Sequence, residues 1–70
     1  MPESVYKVIE LVGSSPVSWE DAAKNAVKSA GLSIRDMRIA EIGTLDMKLD
    51  DEDVLCFRAK VKISFKIVSE

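Results

Sequence analysis

The chain contains no histidine and a single cysteine, Cys56. Those shortages exclude the Cys and His clusters that build structural zinc sites, and they exclude an internal disulfide. Aromatic residues make up only 6% of the chain, with one tryptophan, Trp19. No apolar run approaches the roughly 20 residues that a membrane-spanning helix needs, and the opening residues MPES show neither the basic nor the apolar region of a secretory signal. The expected location is therefore the cytoplasm. Neither sign of charge dominates, since 10 Lys and Arg face 12 Asp and Glu for a net charge of −2. That balance argues against generic attraction to nucleic acid or to an anionic membrane.

What remains is a 70-residue chain, read as one domain over residues 1–70, of which 47% is hydrophobic. A domain of this size buries only about 60% of the surface its unfolded chain exposes, so its own core is marginal. With disulfide and zinc excluded, association with further copies is the remaining common means of support.

The order of elements follows from periodicity. Val5 to Val12 is short, mostly apolar and rich in β-branched residues, and Gly13 and Pro16 bound it, which reads as a strand. From Trp19 onward, Trp19, Ala23, Ala26, Ala30 and Ile34 recur at spacings of four, three, four and four, and so share one face of a helix. Ser18 is placed as the N-cap, with Glu20 and Asp21 in the first turn where carboxylates meet the free amides and the dipole. Gly31 is expected inside the last turn, because Ile34 continues the apolar face. Two long strands fill the second half. In Val54 to Val68, Phe57, Ala59, Val61, Ile63, Phe65 and Ile67 alternate with polar residues, giving one core face and one polar face. Met37 to Leu49 alternates less cleanly, with Ile39, Leu45, Met47 and Leu49 on one face and Ala40 and Ile42 on the other. The run Asp50-Asp51-Glu52-Asp53 between them suits a hairpin turn.

A βαββ order predicts an α+β fold, with a three-stranded antiparallel sheet in the order 1-3-2 against one helix. The second strand is then an edge carrying apolar residues on its uncovered face. Such an edge is a liability in a monomer and a natural contact in an assembly.

Candidate sites divide between chemistry and plain architecture. The stretch GSSPVSWED, which stands where a phosphate loop might, lacks the lysine and glycine spacing of a Walker loop and the GxGxxG fingerprint, whereas a turn followed by a capped helix accounts for all of it. Asp46, Asp50, Asp51, Glu52 and Asp53 offer hard oxygen ligands suited to calcium or magnesium, but without the glycine and spacing of an EF-hand, and a solvated hairpin explains most of them. Asp46, with Glu41 beside it on the same strand, is the preferred metal candidate because a strand holds its backbone. Arg58, Lys60, Lys62 and Lys66 form a basic stripe, better matched to carboxylates such as Glu41 and Asp46 than to nucleic acid. Cys56 lies on the alternating face of Arg58 with no base or third group to activate it, so a catalytic thiol is not expected.

The segments VYKVIELVGSSP, SWEDAAKNAV and VKISFKI, in this order and at this spacing, resemble the dodecin family over roughly Val5 to Ile67. The resemblance implies a βαββ fold assembled as a hollow homododecamer that binds flavin. It also marks departures. Flavin-binding dodecins carry on the second strand a tryptophan that stacks on the isoalloxazine ring, and the matching position here is Ile39; a glutamine on their third strand bonds the ring edge, and the matching position here is Arg58. Isoleucine has no π face, and arginine has donors but no acceptor. Ile39, Arg58 and the nearby Glu41 therefore mark an altered flavin pocket. Trp19, in the first turn of the helix, reads as a packing residue that does not replace the missing ring.

The sequence thus points to a non-enzymatic homododecamer of dodecin type that binds and stores a small molecule, flavin only weakly, or a divalent cation such as calcium. The alternative is a purely structural shell with incidental ions. No acid, base and nucleophile constellation supports an enzyme, and neither nucleic acid nor membrane is expected as a partner.

Overall fold

The computed structural model describes residues 5–68 and contains strand β1 (Val5–Ser15), helix α1 (Trp19–Gly31), strand β2 (Met37–Asp50) and strand β3 (Asp53–Val68). The three strands form one antiparallel sheet in the order β1-β3-β2, as the βαββ reading requires. The core lies between the sheet and the helix. Ala22, Ala26 and Ala30 of α1 meet Ala59, Val61 and Ile63 of β3, with Ile9, Leu11, Val27 and Met37 packed around them. Small residues on both sides let the helix lie close to the strand, and burying Val61 and Ile63 contributes about 1.5–3 kcal/mol each.

Helix α1 begins as its sequence dictates. Ser18 is the N-cap, its Oγ accepting from the Asp21 N–H at 3.0 Å, with Glu20 and Asp21 in the first turn. Gly31 closes the helix from inside, but Ile34 lies beyond it in the connection to β2 and reaches the core from there. The buried stripe is accordingly centred on Ala22, Ala26 and Ala30, with Ala23 to one side of it.

Strand β1 runs three residues further than Val12, through Gly13, Ser14 and Ser15, so GSSP is mostly strand and only its end is turn. The reason is packing against the helix. A Cβ at Gly13 would sit 2.1 Å from the Ala22 carbonyl oxygen and 2.9 Å from the Ala26 Cβ, so glycine alone allows this approach. Ser15, fully buried, donates from Oγ to the Asp21 carboxylate at 2.6 Å and accepts from the Val17 N–H at 3.0 Å. The Asn25 Nδ2 amide donates to the Ser14 carbonyl. The GSSP segment is thus an anchor for the first turns of α1.

The hairpin turn is tighter than the four acidic residues suggested. Asp50 and Asp53 are already paired strand residues, leaving Asp51 and Glu52 as the two-residue loop, with φ of 50° and 69°. Two consecutive left-handed residues match the twist of the flanking strands in a primed hairpin turn. The faces of β2 also differ from simple alternation. Ile42 pairs with Val61 and Leu45 with Ala59, so three steps on β2 match two on β3 and the register shifts at Gly43 and Thr44. Such a bulge reverses the alternation. Ala40, Ile42, Leu45 and Met47 consequently share the helix side, while Ile39, Glu41 and Asp46 share the open side. A further shift between Lys48 and Leu49 returns Leu49 to the open side.

Strand β2 is nearly uncovered. Helix α1 packs on β1 and β3, and past Met37 every residue of β2 is exposed, including Ile39 at 64%, Ile42 at 48% and Leu45 at 46%. Both faces of the edge strand therefore present apolar side chains to solvent.

Candidate functional site

The open face of the sheet is organised in rungs that cross all three strands. Ser14, Arg58 and Asp46 make one, Glu10, Lys62 and Glu41 the next, and Val8, Ser64 and Ile39 a third. Charges of opposite sign alternate across the first two rungs, which is what cross-strand neighbours favour. Arg58 and Lys62 of the basic stripe thus stand opposite carboxylates, as its composition suggested, whereas Lys60 stands opposite Val12 and Lys66 opposite Tyr6.

One rung is closed by direct bonds. Arg58 Nε donates to Asp46 Oδ1 at 2.8 Å and its Nη2 donates to Oδ2 at 2.9 Å, a two-point pair that occupies both carboxylate oxygens. The hydrogen bond from Arg58 holds the Asp46 carboxyl below its ordinary value, and the same bond raises the Arg58 guanidinium. The backbone of this rung is tied to the helix as well. Trp19 Nε1 donates to the Asp46 carbonyl at 2.9 Å, and its indole meets the Phe57 ring edge-on, with centroids 5.0 Å apart and planes 69° apart. Trp19 is a packing residue, as the helical spacing implied. Its hydrogen bond to the edge strand was not legible, because the sequence places the two residues 27 positions apart.

The structure puts the altered flavin-pocket residues on one face without bringing them together. Ile39 stands opposite Ser64 and Arg58 opposite Asp46, and six steps along β3 separate those positions by on the order of 20 Å. Glu41, opposite Lys62, lies about 13 Å from the Asp46 rung by the same rise. Asp46 and Glu41 therefore cannot grip the same ion within one chain, and among the described residues no three Cys, Asp or Glu side chains converge on a metal position.

On the other side of the sheet, α1 and β2 diverge and leave a groove. One part, of about 410 Å³, is lined by Ala23, Val27 and Ile42 with Lys24 and Lys28 at its rim. The adjoining part, of about 340 Å³, runs toward Trp19 and Leu45. No described helix is long and apolar enough to cross a membrane.

Fold and face together define a class of small βαββ proteins in which one helix packs on a three-stranded antiparallel sheet whose β2 edge stays exposed. The family model for dodecin matches residues 5–68, and the chain belongs to the dodecin family. It is 45% identical over 64 residues to calcium dodecin of Mycobacterium tuberculosis, covering 91% of this chain and 90% of that one. The solved structure of that calcium-chelating protein, described as having a novel calcium-binding site, superposes with a TM-score of 0.84 at 43% identity over 96% of each chain. Dodecin of Streptomyces coelicolor matches over the full length of both chains, with a TM-score of 0.90 at 27% identity.

Proposed function

We propose that this dodecin is a non-enzymatic homododecameric binding and storage protein of the cytoplasm, whose ligand is a divalent cation, calcium before magnesium, and whose affinity for flavin is weak. The observation that carries the weak affinity for flavin is the two-point pair between Arg58 and Asp46. The side chain standing where a flavin edge would be read is committed to a carboxylate, and Ile39 offers no ring to stack on. The same face supplies Glu41 and Asp46 from an edge strand. Calcium takes six to eight oxygens, which symmetry-related copies can assemble from a few residues per chain. The likeness to calcium dodecin supports the choice of ion.

A purely structural shell with incidental ions is the second reading. It is favoured by the occupancy of both Asp46 oxygens, which leaves a cation to compete with Arg58. Thermal melting separates the two. A cation that binds only the folded assembly stabilises it by mass action, so millimolar calcium should raise the melting temperature and a chelator should lower it. Asp46→Asn should remove most of that response, whereas Arg58→Gln, which frees the Asp46 carboxylate, should enlarge it. If calcium shifts the melting temperature no more than sodium chloride of equal ionic strength, the calcium reading fails and the structural shell stands.

A further inference from the structure

Asp46 lies in a stretch of β2 that its own ladder holds poorly. The register shifts between Ile42 and Leu45 and again between Lys48 and Leu49, so only Leu45 to Lys48 pair regularly around it. A strand at the edge of a sheet has one neighbour to fix it, and α1 packs mainly on β1 and β3. Trp19 supplies the missing support. From the first turn of α1 its Nε1 donates to the Asp46 carbonyl at 2.9 Å, and its ring meets Phe57 edge-on with centroids 5.0 Å apart. Phe57 precedes Arg58 on β3 and pairs with Met47, the residue after Asp46. One indole therefore touches both strands at the rung where Arg58 and Asp46 form their two-point pair. It does so from the helix side, whereas the pair stands on the open face, so it acts on the carboxylate through the backbone. Packing alone would be served by any large apolar ring. The N–H aimed at the peptide of the candidate metal ligand adds a second role.

We propose that Trp19 is a positioning residue for Asp46: it holds the Asp46 peptide so that the carboxylate meets Arg58 at two points and, when a divalent cation takes the place of Arg58, already faces that cation. The cation half of this inference rests on the calcium reading above, whereas the alignment with Arg58 does not. Both halves demand accuracy from the backbone. A two-point pair needs both carboxylate oxygens aligned with the guanidinium fork, and calcium accepts its oxygens only within about 2.3–2.6 Å. Without the indole N–H, the short segment between two register shifts is left to its single neighbouring strand.

Because Trp19 is the only tryptophan of the chain, it can be replaced throughout by β-(3-benzothienyl)alanine, in which sulfur stands for the N–H: the bicyclic shape stays and the donor goes. Two readouts follow. Solvent exchange of the Arg58 Nε–H, identified by its loss in Arg58→Gln, is measured by NMR without calcium, and calcium chloride is titrated by calorimetry. The analogue should speed the exchange severalfold and weaken calcium binding about three- to tenfold, as loss of one ordinary hydrogen bond implies. Ile63→Val, which loosens the buried core away from this rung, should lower the melting temperature and move neither readout. Unchanged Arg58 exchange in the analogue would overturn the positioning role, as would an Ile63→Val protein whose exchange rises as much. Faster exchange with calcium affinity intact would overturn the cation half. A wild type that binds no calcium, with exchange still faster in the analogue, would sink the calcium reading and leave Trp19 as the positioning residue of the ion pair, which separates the two failures.

Discussion

Restoring the two ring-reading positions tests the flavin argument from the opposite direction. The perturbation is Ile39→Trp together with Arg58→Gln. Ile39 is 64% exposed on the open face, opposite Ser64, so an indole meets no buried neighbour there and extends over the sheet surface. By analogy with nucleobases, stacking a flat ring on an aromatic side chain is worth about 1–3 kcal/mol. That corresponds to a factor of about 5 to 150 in dissociation constant for each stack. Glutamine at position 58 gives back an acceptor and releases Asp46 from its two-point pair. Because the pair lies in solvent, losing it should leave the fold intact. The assay is quenching of flavin fluorescence on titration with protein, alongside circular dichroism to confirm an unchanged fold. The wild type should be colourless as purified and should quench only weakly. Ile39→Trp alone should tighten binding by about one order of magnitude, and the double variant by more than either single change. Quantitative quenching by the wild type at nanomolar protein would refute the reasoning, since Ile39 and Arg58 would then be reading the ring after all. No gain in the double variant would show that the open face lacks the partner surface a flavin needs.

Three further outcomes follow from single contacts. Gly13→Ala forces a methyl against the Ala22 carbonyl and the Ala26 Cβ, neither of which can swing away; it should cost about 3 kcal/mol, at the upper end of ordinary overpacking, and lower the melting temperature by on the order of 10–20 °C. Trp19→Phe removes the donor to the Asp46 carbonyl while keeping an aromatic ring near Phe57, so scanning calorimetry should show a loss of about 0.5–1.5 kcal/mol, with a calcium response that weakens as the edge strand loosens. The Asp46 carboxyl is held below its ordinary value of 3.8 by Arg58, so its contribution to stability is present above that pH and is lost as pH falls through the lower folded value. Melting curves of wild type and Asp46→Asn should therefore differ at neutral pH and converge in acid, and a gap that persists below both values would rule out the ion pair as its source.

The sequence declared its elements more clearly than its faces, and the difference has a physical origin. Helix α1 was legible because Ser18, Glu20 and Asp21 act within a few residues of one another, and a cap is a local device. Strand β3 was legible because it is central, so its period-two pattern is imposed by burial of Ala59, Val61 and Ile63 against the helix. Strand β2 has no such constraint. As an edge it tolerates register shifts at Gly43 and near Leu49, and each shift turns the following side chains over without leaving a mark that periodicity can detect. The expected grouping of Ile39 with Leu45 and Met47 failed for that reason alone. GSSP failed differently, since three residues that read as a turn are held in the sheet by contacts to α1, and Gly13 serves close approach rather than bending.

The same contrast bears on the site. The chemistry of Ile39, Glu41, Asp46 and Arg58 could be weighed from residue type, but their grouping could not, because it depends on which rung of β3 each one meets. Once the rungs are known, Arg58 is seen to pair with Asp46, the carboxylate the sequence favoured as a metal candidate, and Ile39 stands on the order of 20 Å away from it. A single chain thus offers a carboxylate already answered by a guanidinium and, on the same face, an exposed isoleucine. On the function proposed above, assembly is a condition of ligand binding as well as of stability. A substitution that separates the copies should therefore abolish the calcium response even where Glu41, Asp46 and Arg58 are untouched, and Leu45→Asp, on the exposed edge strand, is the variant in which that coupling can be measured. A separated chain that kept the full response would place the ion within one copy, against the 13 Å or so that lie between Glu41 and Asp46.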